Sequence, residues 1–512
     1  MVDRHYPPRR WLPVLLVAAG AAAVSLFVAI WLSGRTAMWR DEYATALYRA
    51  LSPGDLWAAT THVDAVHYPY YLLMHGLSPL LGTDLAMRIP SIVAFSASAA
   101  VVTLIAARWW GTLPAALAGI AFIVNPLTMG AAVLARSYML SILAVTLAIL
   151  VLDVAIRNRR RAGISAWMPW VGYGLASVIA VLLQPFASLS IVATIVLAIG
   201  RRRSLLAWTL ATLPAGVATV ALLARARDQS AQVSWLGAVT PRAAVENTAL
   251  ASGIAVGRGI GFDVLAVALL MVMSALAIVA SSAANRRSLA AAAALTFTPP
   301  VILFAISVLV SPVLTGRYLS WIAVGAALLL GGSAHAALHG RRHRVSAVLA
   351  GALVVVLAIP FAVTAKRTLD PPGRLDNFPE TAARIQAAAH PGDILIVTQR
   401  YEAGGVAYGM ARASADEGYR LEILASAPFG PRVVADVREI TEAVPLRSVP
   451  FTGSKGQADR TLWVAGLTLP ETSDLADADP VVRACLAAIE AEAFTFIDGV
   501  RLYSVPCPAS GE

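Results

Sequence analysis

Charge is scarce in this chain. Only 14% of the 512 residues are Asp, Glu, Lys or Arg, against 58% hydrophobic, and the mean hydropathy is +0.70. Those values exclude an ordinary soluble domain, and repeated long apolar runs mark a protein that crosses a membrane many times. Lysine is nearly missing: Lys366 and Lys455 stand against 38 arginines, which GC-rich coding explains more simply than function does. Cysteine is limited to Cys485 and Cys507, both near the C-terminus. They either pair, if that segment is exported, or stay as two thiols. No repeat of 20–50 residues is evident, nor any low-complexity stretch beyond the Ala/Val/Leu bias of the apolar runs. The net charge of +10 is uneven: residues 1–365 hold 26 basic and 10 acidic side chains, residues 366–512 hold 14 and 20. The basic clusters are short and separated by apolar runs, so they set topology and do not read as a nucleic-acid surface.

A span needs about 20 apolar residues. Eleven runs qualify, at about 11–33, 86–107, 113–131, 138–156, 166–184, 186–200, 204–224, 260–281, 288–310, 319–338 and 345–364. Arg4, Arg9 and Arg10 precede the first, and no A-x-A-like cleavage site follows it, so it reads as an uncleaved signal anchor. With the N-terminus in the cytoplasm, the turns at Arg108, 157–161, 201–203, 285–287 and 339–344 all face inward, and all carry arginine as the positive-inside rule demands. An odd number of spans places the acidic tail outside. The outer face then receives the loop 34–85, the turn Ala135-Arg136-Ser137-Tyr138, Gln184-Pro185-Phe186, the loop 225–258 and Thr315-Gly316-Arg317-Tyr318. Every polar cluster other than the inner arginine runs therefore falls on one side, where a site can be assembled.

The expected fold class is a polytopic α-helical membrane domain over 1–365, followed by an extracytoplasmic α/β domain over 366–512. The multi-pass chain sits in the plasma membrane. The outer loop 34–85 is too long for a connector. Within it, 51–61 predicts a short helix capped by Ser52 and Pro53, and 68–81 an interfacial helix too short to span. Past the linker Asp370-Pro371-Pro372-Gly373, the pattern predicts helices over 379–389, 433–443 and 481–492 and strands over 393–398, 461–466 and 495–503. The tail carries no nucleotide fingerprint and no metal-ligand spacing.

Candidate chemistry starts at Trp39-Arg40-Asp41-Glu42, just past the first span. Two adjacent carboxylates there point to Asp41 as a general base for an acceptor hydroxyl, or as a metal ligand, with Glu42 sharing that work or holding a sugar hydroxyl. The other reading is a solvated pair at the end of the span, with Arg40 neutralising it. Nucleotide sugars and ATP are absent outside the cytoplasm, so a lipid-linked donor fits this position. His62, Asp64 and His67 are dense enough to bind a sugar or a cation; the spacing matches no standard zinc motif, and metal use stays open. Tyr70 and its aromatic neighbours suit a sugar platform or the interfacial aromatic belt. Arg136 with Tyr138, and Arg317 with Tyr318, each at a span boundary, suit a donor phosphate, because arginine stays charged and binds phosphate in a fork. A leaving phosphate needs that fixed charge. Snorkelling to lipid head groups is the competing reading. Arg88 is a further phosphate candidate, and Gln184 a candidate for sugar recognition or for stabilising its turn.

The order of these motifs resembles a known family. One span, Trp-x-Asp-Glu in a long outer loop, Asp64 to His67-x-Pro69-Tyr70-Tyr71 before an interfacial helix, Gly82, Arg88-Ile89-Pro90-Ser91 and Ala135-Arg136-x-Tyr138 follow one another as in GT-C membrane glycosyltransferases. The nearest group is glycosyltransferase family 39, within the protein-mannosyltransferase and aminoarabinose-transferase superfamily. The likeness is good over about 34–140 and recurs at Gly316-Arg317-Tyr318. It implies a polyprenyl-phosphate sugar donor, an inverting mannosyl- or arabinosyl-type transfer on the outer face and a cell-envelope acceptor (glycan, glycolipid or protein). By position it implies Asp41 as base, Glu42 as its helper and Arg136 and Arg317 against the lipid phosphate. The chain departs from the pattern at Ala135, often acidic in relatives, and at His67-Tyr68-Pro69, where His-Pro-Pro is usual. The alternative function is a transporter or flippase of lipid-linked sugars, which calls for ionisable residues at span centres and paired broken helices. The spans are almost free of charge, Asp153 beside an arginine cluster being the exception. A structural membrane partner that binds through its tail is the third reading.

Overall fold

The computed structural model describes residues 11–36, 38–80, 84–157, 164–199, 202–229, 239–254 and 260–339, with 378–388, 394–397, 432–434, 443–445, 460–466, 495–497 and 500–507 and a few isolated positions. The helices run in the order α1 (Trp11–Ser33), α2 (Arg40–Tyr48), α3 (Pro53–His62), α4 (Tyr68–Leu77), α5 (Asp84–Trp110), α6 (Thr112–Ile123), α7 (Pro126–Ala132), α8 (Tyr138–Arg157) and α9 (Ile164–Leu183). After them come α10 (Ala187–Ala193), α11 (Ile195–Ala198), α12 (Arg202–Arg225), α13 (Pro241–Ser252), α14 (Ile260–Ala280), α15 (Ala283–Leu309), α16 (Ile322–His339) and α17 (Phe378–Ala388). The chain divides into two compact units, residues 1–35, 64–70 and 88–371 in one, and 36–63, 71–87 and 372–512 in the other.

The first unit is a helical membrane bundle. Among the described residues α1, α5, α8, α9, α12, α14, α15 and α16 are long and apolar enough to cross a membrane, and the pair α6–α7, bent by 64°, is a ninth crossing if counted as one. The bend has a local cause. Asn125 accepts the N–H groups of Leu127 (2.8 Å) and Thr128 (3.3 Å), and Pro126 opens α7, so a helix ends and another begins inside the run expected as one span. The expected span over 186–200 is also not one helix. It is α10 and α11, divided at Thr194, whose hydroxyl is taken by Trp208 Nε1 (3.0 Å) and Tyr173 Oη (2.8 Å). The expected span over 345–364 lies almost wholly outside the described residues.

Close packing in the bundle relies on small residues, because lipid tails supply no hydrophobic drive between helices. A Cβ at Gly325 of α16 would lie 2.7 Å from the Leu295 carbonyl carbon of α15, and one at Gly331 lies 2.7 Å from the Pro114 carbonyl oxygen of α6. The core around them holds Trp321, Leu329, Phe122, Ile142 and Ile149.

At one end of the bundle Asp153 is buried and fully engaged. It accepts from Arg108 Nε (2.9 Å), Trp109 Nε1 (2.9 Å) and Arg157 Nε (2.7 Å). Trp110 meets Gly332 of α16 at the same end, and His335 pairs with Asn285 of α15 at 2.9 Å. Arg108, Arg157, Asn285 and His335 thus share one end of the bundle. Arg136 and Gln184 belong to the other end, at the far termini of α8 and α9. The 20 residues of α8 separate the two ends by about 30 Å. Asp153→Ala removes three hydrogen bonds and leaves two guanidinium groups facing each other, although solvent at Arg157 softens the effect. The expected loss is about 2 kcal/mol, read as a lowered unfolding temperature in detergent; an unchanged value contradicts the structural role.

The second unit joins α2 and α3 to the tail. Helix α3 begins as its sequence predicts: Ser52 Oγ accepts the Asp55 N–H (3.2 Å) and Pro53 fills the first position. The tail is a six-stranded sheet of β1 (Ile394–Val397), β2 (Arg432–Val434), β3 (Ala443–Pro445), β4 (Arg460–Gly466), β5 (Thr495–Ile497) and β6 (Val500–Cys507), in the order β3-β2-β1-β4-β6-β5. Only β1 and β4 run parallel. Helix α17 packs on β6, with Ala382, Ile385, Trp463 and Tyr503 buried. Two expectations change. The stretch 433–443, expected as a helix, begins in β2 and ends in β3, with Val433 opposite Val444 and Val434 opposite Ala443 in the ladder. The strand expected over 495–503 is the hairpin β5–β6, with Asp498-Gly499 between its arms. The helix expected over 481–492, and Cys485 with it, lies outside the described residues.

Candidate functional site

The site in the first unit is built on the start of α8. Ser91 of α5 donates to the carbonyls of Leu134 (2.6 Å) and Arg136 (3.2 Å), and so fixes the turn that carries Arg136. Arg136 is 4% exposed and Tyr138 5%. The second Arg-Tyr pair sits in the 3-10 turn Gly316–Leu319, closed by the Tyr318 N–H on the Thr315 carbonyl (3.0 Å). The packing here is close, since a Cβ at Gly316 would stand 3.0 Å from Leu250 Cδ2 and 3.4 Å from Asn247 Oδ1 of α13. Helix α13, in the loop 225–258, therefore covers the turn, and Asn125 Nδ2 ties it down through the Ala251 carbonyl (3.0 Å).

Tyr318 marks the meeting point. Its ring lies 4.9 Å from that of Phe186, on the turn that begins at Gln184. Burial pushes its phenol above the ordinary range; Tyr138 and Asp64 push it further, and Arg317 and Arg136 oppose them. Four of the residues expected from sequence, Arg136, Tyr138, Arg317 and Asp64, thus lie near enough to act electrostatically on the fifth. The charges acting on Tyr318 are two guanidinium groups and one carboxylate, a balance suited to an anion.

Asp64 reaches this cluster by an unusual backbone. Its φ of 57° and ψ of 32° are left-handed, the only positive φ at a non-glycine residue among those described. Such strain persists only where the surroundings hold it. They do so here: the His67 N–H bonds the Asp64 carbonyl (2.8 Å), the Ala65 N–H bonds Gln229 Oε1 (2.9 Å), and the Arg225 guanidinium lies 5.0 Å from the centre of the Tyr68 ring.

Other expected site residues have different surroundings. Arg88, 1% exposed, donates to the Ser33 carbonyl (2.9 Å) at the end of α1, which satisfies a helix terminus. Tyr70 is wholly buried and His67 is 6% exposed. Gln184 is buried, and its amide nitrogen has no hydrogen-bond partner among the described residues. His62 ends α3, and its side chain is not among those described. Among the described residues no three His, Cys, Asp or Glu side chains stand close enough to hold a metal.

In the second unit, Asp41 and Glu42 form the first turn of α2 rather than a loop. Glu42 is fully buried, and its Oε2 accepts the Trp39 N–H (2.8 Å), the reciprocal half of a capping box. One carboxylate oxygen of Glu42 is therefore committed to the backbone. Asp41 beside it is half-buried. Tyr43 donates to the Met38 carbonyl (3.2 Å), and Tyr48 stacks on Tyr71 at 4.8 Å.

No family model matches the chain, and no curated protein matches it. Solved structures do. The crystal structure of ArnT from Cupriavidus metallidurans bound to undecaprenyl phosphate aligns at a TM-score of 0.50 and 14% identity, covering 97% of this chain and 98% of that one. The fold is of the GT-C type. The apo form of the same ArnT aligns at a TM-score of 0.40 with the same identity and coverage. At 14% identity the ArnT likeness is one of architecture, and it extends over nearly the whole length of both chains. Ser91 and Phe186 fall within motifs read from sequence but received no role there, and Ser141 and Trp321 were passed over. A serine within an apolar run carries no local signal of a distant partner.

Proposed function

We propose that the protein is an inverting glycosyltransferase that moves a sugar from a polyprenyl-phosphate donor to a cell-envelope acceptor at the outer face of the plasma membrane. The observation that carries this reading is the placement of two Arg-Tyr pairs, Arg136/Tyr138 at the start of α8 and Arg317/Tyr318 in the turn that packs on Phe186, near enough that both arginines act on Tyr318. The undecaprenyl phosphate bound by ArnT, an anionic lipid of the class proposed, supports it.

In this reading the donor's phosphate lies against Arg136 and Arg317. A glycosyl phosphodiester carries about one negative charge, and the polyprenyl phosphate that leaves approaches about two. The arginines therefore bind the products of bond breaking more strongly than the substrate, which is the condition for catalysis. Asp41 removes the proton of the acceptor hydroxyl as its oxygen attacks the anomeric carbon from the face opposite the phosphate. The carbon–oxygen bond to phosphate breaks, and the configuration inverts. Glu42 holds the turn that presents Asp41. Asp64, His62 and Gln184 read sugar or acceptor hydroxyls. Mannosyl or arabinosyl transfer, an N-terminus in the cytoplasm and an exported tail belong to the same proposal.

The stereochemical outcome tests it. Product made from a donor of known anomeric configuration is expected with the opposite configuration by NMR, with one polyprenyl phosphate released per sugar. Retained configuration overturns the single-displacement role of Asp41.

A further inference from the structure

We propose that the Ser141 hydroxyl, together with the Trp321 indole, is a positioning pair that sets the geometry of the donor-phosphate site. This rests on the assignment of Arg136 and Arg317 to the donor phosphate under Proposed function. Serine and threonine within helices usually return their hydroxyl to a carbonyl three or four residues back. Ser25, Thr103, Ser177 and Ser274 do so here, bonding Ala21, Ala99, Tyr173 and Leu270. Ser141 does not. Its Oγ donates across to the Ala180 carbonyl of α9 (2.9 Å) and accepts the indole Nε1–H of Trp321 (2.9 Å), a residue 180 positions along the chain. Both side chains are buried, Ser141 at 0% and Trp321 at 1% exposed.

One hydroxyl thus pins three segments, and each carries a site residue within about one helical turn of the pin. On α8, Tyr138 and Arg136 lie just before Ser141. On α9, the Gln184 N–H bonds the same Ala180 carbonyl (3.0 Å). In the third segment, Arg317 and Tyr318 lie just before Trp321. The Phe186–Tyr318 ring contact braces the same arrangement. A hydroxyl is required because it must donate and accept at once; alanine does neither and leaves the indole N–H buried without a partner. The pair touches no substrate in this account. It acts by holding Arg317 and Gln184 at fixed distances from Arg136.

The test measures binding of undecaprenyl phosphate to the full-length protein in detergent. Ser141→Ala and Trp321→Phe are each expected to weaken binding about tenfold, because Arg317 loses its fixed position relative to Arg136. The double variant is expected to be no worse than either single one, and Ser141→Thr, which keeps the hydroxyl, to retain most of the affinity. Combined with Arg317→Ala, Ser141→Ala should cost nothing further, because the group it positions is gone. Wild-type affinity in both Ser141→Ala and Trp321→Phe overturns the proposal, as does a loss that persists undiminished in the Arg317→Ala background. If Ser141→Ala does not fold, Trp321→Phe and Ser141→Thr decide the matter by the same criteria. Should Arg317→Ala itself bind normally, the phosphate assignment fails, and the positioning role fails with it for that separate reason.

Discussion

Asp41→Asn is expected to abolish sugar transfer while leaving expression, unfolding temperature and donor affinity close to wild type. Asparagine keeps the shape of the side chain and is well tolerated in the first turn of a helix, so the start of α2 should survive. The amide has no basic lone pair for the acceptor proton. Removal of a positioned general base lowers turnover by about 10²–10⁴-fold. The donor is bound by other groups, so the loss belongs to kcat rather than to the donor's KM. A variant that keeps more than about a tenth of wild-type turnover excludes Asp41 as the base. Glu42→Gln gives a contrasting result. An amide oxygen still accepts the Trp39 N–H at 2.8 Å, so this variant is expected to fold and to lose far less activity than Asp41→Asn.

Arg136→Ala and Arg317→Ala are expected to produce the second large effect. Each removes a fixed positive charge from the place where the leaving phosphate gains negative charge. Loss of one such group lowers kcat by about 10²–10³-fold. Arginine-to-lysine variants at the same positions keep the charge but lose the fork, and are expected to recover part of the rate. The measurement is turnover against donor concentration, in parallel with thermal unfolding. Arg88→Ala serves as a comparison: one of its contacts is with the Ser33 carbonyl at 2.9 Å, so it is expected to lower stability and to change donor dependence less than the other two. Equal effects of Arg88, Arg136 and Arg317 variants on donor dependence would contradict the division made here.

The parts of the fold that sequence reveals are those with local causes. Ser52, Pro53 and Asp55 announce α3 because capping is a contact within four residues. Arg108 and Arg157, from two turns that sequence assigned to one side, meet at Asp153, because charge sets topology one loop at a time. Some local signals were present and went unread. Asn125-Pro126 is a helix start inside an apolar run, and Thr240-Pro241 with Gly253 brackets α13 in a stretch that otherwise reads as loop. Asp498-Gly499 is a hairpin signal inside a run taken as one strand. The break at Thr194 had no such signal, because it follows from hydrogen bonds to Tyr173 and Trp208 on other helices.

The candidate site divides in the same way. Arg136, Tyr138, Arg317 and Tyr318 stand out as charge and aromatics at span ends. Ser141 and Trp321, the pair proposed to hold Arg317 and Gln184 relative to Arg136, are marked by no pattern along the chain. Glu42, read from sequence as a second carboxylate for the chemistry, also caps α2 through one oxygen, and Tyr70, read as a candidate sugar platform, is buried.

The most direct test of the central claim uses purified protein in vesicles. A panel of radiolabelled polyprenyl-phosphate sugars, with nucleotide sugars alongside, is offered to wild type and to Asp41→Asn. Label is expected to move to the acceptor fraction from one class of polyprenyl-phosphate sugar, in wild type only, with no transfer from any nucleotide sugar. No transfer from any donor, with the labelled lipid crossing between leaflets equally in both proteins, would contradict the account and establish a transporter of lipid-linked sugars.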